Sequence, residues 1–178
     1  MHVRIVLLAS LAVLVACASL RQPDRAPVTL VPHVDLPRFM GDWYVIASIP
    51  TFVERGAHNA VENYQLDADG TVATTFKFNA DSPDGPVKVY RSRGFVLDKK
   101  TNAIWGQQYF WPVKADYRIS YLSPDYQQVV ITREDRDYVW IMARTPALAD
   151  EDFARLVSFV ESQGYAPEKL SKVPQRAR

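Results

Sequence analysis

The sequence predicts an all-β fold, an eight-stranded antiparallel up-and-down β-barrel with one C-terminal α-helix packed on its outside. Short apolar or alternating runs recur at close, regular spacing with turn signals between them, the pattern of a sandwich or barrel. A single later segment switches to helical period. Aromatic residues reach 12% beside only 7 glycines and 12 prolines, which favours a β-rich globule over a disordered chain.

The strands follow in order. "DWYVIAS" runs into Pro50, "VENYQL" into "DADG", and "TVATTFKF" into "NADSPDG". "VKVYRSRGFV" precedes "DKKTN", followed by "AIWGQQYF", "DYRISYL" before "SPD", "YQQVVIT" before "REDRD", and "YVWIMAR". "DADG" and "SPDG" are hairpin-like, so each strand is expected beside its sequence neighbours. No internal repeat is visible. In "ADEDFARLVSFVESQG", Phe153, Leu156, Val157 and Val160 fall at i, i+3, i+4 and i+7, one face of an amphipathic helix. Asp150 is expected to cap it, Glu151 and Asp152 suit its positive end, and Gly164 suits its exit.

The N-terminal residues read as an export signal. "MHVR" carries positive charge, "IVLLASLAVLVA" is apolar, and small residues precede Cys17. The alternative, a short membrane anchor, is disfavoured because the apolar run is short for a spanning helix. "LVAC" resembles the bacterial lipobox, whose cysteine is acylated after cleavage, and that resemblance implies lipidation at Cys17. Cys17 is the one cysteine, so no intrachain disulfide can form. Ala18 follows it, and in lipoproteins of this type a non-Asp residue there implies transfer to the outer membrane. The expected organisation is a signal peptide at 1–16, a lipidated tether at 17–32, the folded domain at 33–174 and a tail at 175–178. With 21 basic and 20 acidic residues there is no basic stripe for nucleic acid.

Strand parity selects an inner lining. Val72, Thr74, Phe76 and Phe78 share one face, as do Trp105, Gln107 and Tyr109; so do Tyr117, Ile119 and Tyr121, and Tyr138, Trp140, Met142 and Arg144. Tyr and Trp need polar partners when buried, so a lining of rings and hydroxyls points to a ligand cavity; aromatics that fill a closed barrel are the competing reading. Glu62 shares a face with Tyr64. It is read as a rim carboxylate, as a partner of Arg91 or Arg93, or as a contact for a cationic head group. The candidate ligand residues are Glu62, Tyr64, Phe76, Phe78, Trp105, Gln107, Tyr109, Tyr117, Tyr121 and Trp140.

"GDWY" resembles the Gly-x-Trp signature that opens the first strand of lipocalins, "SPDYQQVVI" their second motif, and "YVWIMART" their third. The likeness runs from about Leu36 to Val173, and "FVERG" with "DRDYVWIMARTP" is similar to the bacterial outer-membrane lipoprotein subgroup, Blc type. The resemblance implies that Gly41, Trp43, Asp125, Tyr126 and Arg144 are structural, with Trp43 plugging the closed end beneath the Arg144 guanidinium and Val45 and Ala47 starting the inner wall. It further implies a carrier that stores or moves fatty acids or lysophospholipids for membrane maintenance, anchored in the outer membrane and facing the periplasm; a homodimer is compatible with it.

Other readings are a carrier of haem, a retinoid or another hydrophobic compound, and, less favoured, a lipid-directed enzyme. Neither His33 nor His58 falls in a Ser-His-Asp order, and no Gly-x-Ser-x-Gly elbow and no metal-ligand spacing occurs. No catalytic residue, metal or cofactor is therefore expected. "TREDRDY" is read as a solvated hairpin.

Overall fold

A computed structural model describes residues 25–176; Cys17 and the leader before it lie outside the described residues. The chain forms α1 (Leu36–Phe39), β1 (Gly41–Ile49), β2 (Ala57–Leu66), β3 (Thr71–Ala80), β4 (Val87–Val96) and β5 (Ile104–Phe110). It continues through β6 (Val113–Leu122), β7 (Gln128–Thr132), β8 (Val139–Ala143), α2 (Asp150–Ser162) and a short β9 (Ser171–Lys172). Strands β1 to β8 pair antiparallel with their sequence neighbours, and β8 returns to β1 to close the barrel.

The alternation read from sequence becomes two apolar layers. Inside the barrel lie Trp43, Val45, Tyr64, Val72, Phe76, Trp105, Tyr117, Ile119 and Met142, with Phe39 of α1 beneath them. Outside, Ile46, Ala47, Val130, Val139, Ile141 and Ala143 meet Leu156 and Val160 of α2. Burying two aliphatic side chains of α2 supplies roughly 3–6 kcal/mol of apolar transfer before entropy is counted. Phe153 and Val157 complete that face at partial burial.

Two bulges change the faces that uninterrupted parity assigns. The β1–β8 register shifts between Val45 and Ala47, so Val45 faces the interior while Ala47 joins the outer layer, contrary to expectation. The β6–β7 register shifts between Ile119 and Tyr121. Ile119 therefore points inward, whereas Tyr121 packs on Phe159 of α2 with ring centroids 5.6 Å apart. Tyr121 is not a cavity residue. One extra residue in a strand flips everything beyond it to the other face.

Other expectations also need correction. Asp150 is the first helical residue of α2; the N-cap is Ala149, which makes no side-chain cap, so the acids of the first turn act on the helix dipole instead. Gly164, at φ +86°, does form the exit. The folded part extends beyond 33–174 at both ends. Ala26 O accepts from Arg136 Nη2 at 2.5 Å, and Val31 N donates to Ile119 O at 3.1 Å. Gln175 Nε2 donates to Val45 O at 2.8 Å and Ala60 O at 3.0 Å. The C-terminal segment thereby seals the seam where β1 and β2 diverge, since their pairing ends at Tyr44 and Val61. The "REDRD" turn is a bonded network: Arg136 donates to Gln163 O at 2.6 Å, and Arg118 pairs with Glu134 at 2.7 Å.

Candidate ligand cavity

The up-and-down order places the β1–β2, β3–β4, β5–β6 and β7–β8 connections at one end of the barrel and the first turns of β1 at the other. The second end is shut. Trp43 is fully buried and donates its indole N–H to Phe39 O at 2.8 Å. The Arg144 guanidinium lies 3.9 Å from the Trp43 ring centroid. It donates to the backbone carbonyls of Asp42 (2.8 Å), Arg38 (2.9 Å) and Phe39 (3.0 Å). Gly41 sits at φ +92°, a backbone conformation that L side chains rarely adopt, so glycine is required there by conformation; a Cβ would just touch Arg144 Nη1 at 3.4 Å.

The motif residues Asp125 and Tyr126 belong to the same closure. Asp125 Oδ1 accepts from Ser123 Oγ at 2.5 Å, and that bond, with the Gln127 amide, holds its carboxyl below the usual range. The Tyr126 hydroxyl accepts from Asp35 N at 2.9 Å while Arg38 stacks 4.0 Å over its ring.

Above this plug is a second aromatic layer. Tyr64 and Trp105 meet edge to face at 5.9 Å, and Trp105 stacks on Tyr117 at 5.4 Å. The Tyr64 hydroxyl donates to Glu62 Oε2 and lies 2.5 Å from the Tyr117 hydroxyl. Over that chain opens a cavity of about 330 Å³. Its walls include Glu54, Glu62, Phe76, Tyr90, Gln107, Tyr109, Tyr117, Arg133, Tyr138 and Trp140.

The candidate residues thus separate by depth. Glu62, Phe76, Gln107, Tyr109, Tyr117 and Trp140 line the cavity together. Tyr64 and Trp105 lie beneath its floor, and Phe78 stands behind Phe76, 5.1 Å from it and 6.1 Å from Tyr90. Lining residues not among the candidates include Glu54, Tyr90, Asp116 and Arg133. Tyr90 could have been found by extending parity through "VKVYRSRGFV", since it pairs directly with Phe76. Glu54 had no such signal, because it lies on the β1–β2 connection.

The charged groups of the cavity wall are three carboxylates, Glu54, Glu62 and Asp116, and the Arg133 guanidinium. Glu54 is fixed by Thr51 N at 2.7 Å and Trp140 Nε1 at 3.0 Å. Glu62 forms no ion pair among the described residues; Arg93 instead faces Asp67 and Asp69 outside, and Arg91 is exposed. Burial first, and the charge of Glu54 after it, raise the Glu62 carboxyl to about 7 against the opposing pull of the Tyr64 hydroxyl. Burial and the Glu62 charge also push the Tyr64 and Tyr117 phenols well above their ordinary value. Near neutrality the floor is poised between a carboxylate and a neutral acid. Gln107 Nε2 donates to Ser92 Oγ at 2.8 Å, and its Oε1 is buried without a partner. Among the described residues no cluster of three His, Cys, Asp or Glu could hold a metal.

A barrel shut by a stacked Trp–Arg pair, with a ring-lined cavity above it, is a shape shared with known proteins. The lipocalin-like domain profile matches residues 34–175. The chain belongs to the lipocalin family. Lipocalins bind small hydrophobic ligands, and the cavity here has the walls for one. The chain is 30% identical over 168 residues to the outer membrane lipoprotein Blc of Escherichia coli K12, covering 94% of this chain and 93% of that protein. It is 31% identical to the Blc protein of Citrobacter freundii, with 90% and 89% covered. It is 29% identical to temperature-induced lipocalin-1 of Arabidopsis thaliana, with 85% of each covered. Among solved structures, the cockroach allergen Per a 4 superposes with a TM-score of 0.62 at 20% identity, covering 86% of this chain and 97% of the allergen. Apocrustacyanin C2 gives a TM-score of 0.62 at 13% identity, covering 87% of this chain and 93% of that one. At those identities the two structures speak to the fold alone.

Proposed function

We propose that this lipocalin is a non-catalytic carrier of single-chain lipids, of the fatty-acid or lysophospholipid class, tethered through acylated Cys17 to the outer membrane on its periplasmic side and serving membrane maintenance. The observation that carries this reading is the cavity itself: about 330 Å³, walled by Phe76, Tyr90, Tyr109 and Trp140, and open at one end. An acyl chain gains roughly 0.8 kcal/mol per buried methylene against such walls. Polar groups are few and located at the floor and upper wall, where they orient a ligand without hydrating its chain. The Blc relatives are by name outer membrane lipoproteins, which supports both the anchor and the location.

The site favours carriage over catalysis because its charged groups are held by neighbouring side chains and backbone, while the Gln107 Oε1 left without a partner can orient a ligand but cannot act as an acid or base. Glu54 is held by two donors, Glu62 by a tyrosine, and Arg133 pairs with Asp137 at 3.2 Å. No nucleophile–base pair faces the cavity among the described residues. Organic extraction of protein purified from its own membrane, followed by mass spectrometry, tests the proposal. A stoichiometric single-chain lipid is expected; protein that yields none and fails to bind added fatty acid or lysophospholipid would overturn it.

A further inference from the structure

The open end carries apolar side chains that the cavity does not explain. Trp111 is 85% exposed, Phe52 78%, Phe110 66% and Val113 52%. Single exposed apolar residues are ordinary, but these lie together: Phe52 and Phe110 both flank the cavity mouth, Trp111 follows Phe110 on the β5–β6 connection, and Val113, the first residue of β6, pairs with Phe110. Trp111 and Val113 do not line the cavity. Charges at the same end are mixed, with exposed Arg55 and Lys88 against exposed Asp81 and Asp84. An apolar surface is therefore the distinctive feature of this rim.

The path of the chain says what that rim faces. Ala26 is bonded to Arg136 on the β7–β8 connection, so the N-terminal segment reaches the barrel at its open end. Eight residues lie between Cys17 and Ala26, nine Cα steps that span no more than roughly 32 Å fully extended and roughly 17 Å for a random coil of that length. A barrel of ten-residue strands tilted at about 40° stands on the order of 25 Å tall. Hanging it mouth-outward would oblige the tether to run back along that whole height.

We infer that Phe52, Phe110, Trp111 and Val113 form a docking rim that seats the cavity mouth in the interfacial layer of a phospholipid bilayer. Trp at a polar–apolar boundary and Phe in the acyl region match the two zones such a rim would meet. Ligand then passes between bilayer and cavity without crossing water. The orientation rests on the proposed Cys17 anchor, whereas the rim's own affinity does not.

The test uses residues 18–178, which lack the apolar leader and the acylated cysteine but keep the whole described fold, floated with phosphatidylcholine vesicles, and compares them with the same chain carrying Trp111→Ser and Val113→Ser. The leaderless chain is expected to bind the vesicles nearly independently of salt, and its tryptophan emission to be quenched by brominated lipid. The rim substitutions are expected to lower partition tenfold or more and to remove the quenching, with lysophospholipid affinity in vesicle-free solution unchanged. Failure of the leaderless chain to bind, or equal binding by the rim variant, would overturn the inference. So would a dimer in solution that the rim substitutions dissolve while vesicles are ignored. Acylation is read separately from the mass of the Cys17 peptide in the wild type, so loss of the anchor and loss of the rim are told apart.

Discussion

The Arg144 guanidinium lies 3.9 Å over the ring of Trp43 and at the same time donates to Phe39 O, the carbonyl that also accepts the Trp43 indole N–H. One carbonyl, one ring and one cation join α1, the start of β1 and the end of β8. The contact therefore closes the barrel and lies far from the cavity mouth.

Arg144→Lys keeps the charge but loses the planar stack and most of the carbonyl bonds. A loss of about 2 kcal/mol is expected, seen as a fall in melting temperature of roughly 4–8 °C by calorimetry. Ligand affinity should be unchanged. A variant that melts like the wild type would show that the stack is incidental.

Glu62 gives stability a pH dependence. Its folded pKa of about 7 stands above the ordinary 4.5 of a glutamate, so its favourable contribution is complete below about pH 4.5 and is lost as pH rises through about 7. The full loss is on the order of 3 kcal/mol. Glu62→Gln does not titrate there, so denaturant unfolding should show it close to wild type at pH 4.5 and more stable by about 2 kcal/mol at pH 8. A lipid chain covering the floor penalises the carboxylate further. Affinity for a lysophospholipid should fall several-fold from pH 6 to 8 in the wild type and stay flat in the variant.

Gln175 tests the C-terminal seal. Gln175→Ala removes the donors to Val45 O and Ala60 O, and a loss of about 1–2 kcal/mol is expected. Hydrogen exchange should quicken locally at the amides of Asn59 and Val173, which bond to Pro174 O and Ile46 O. Exchange unchanged at both amides would mean the segment is not holding the seam.

Much of this was legible in the sequence because period-2 alternation survives folding wherever strands are regular. Val72, Thr74, Phe76 and Phe78 are all buried along β3, as parity requires. The alternation fails at the Val45–Ala47 and Ile119–Tyr121 bulges, where an unpaired residue leaves no compositional mark; Tyr121 was misplaced for that reason. Glu54 and Arg133 reach the cavity from connections between strands, to which no periodicity applies. Arg136 looked like part of a solvated run, yet its side chain is 6% exposed because α2 and the N-terminal segment both offer it carbonyls. Such long-range partners are set by tertiary packing, which a local reading does not see.

The most direct test of the account is a calorimetric titration of lysophospholipid, below its micelle concentration, into the wild type and Ala115→Trp. Ala115 lies in the cavity wall opposite Gln107 on the neighbouring strand, and an indole there would occupy much of the 330 Å³. Saturable one-to-one binding by the wild type, weakened at least tenfold in a folded Ala115→Trp, is the expected result. Equal binding by both proteins, or none by the wild type, would contradict a lipid held in the barrel.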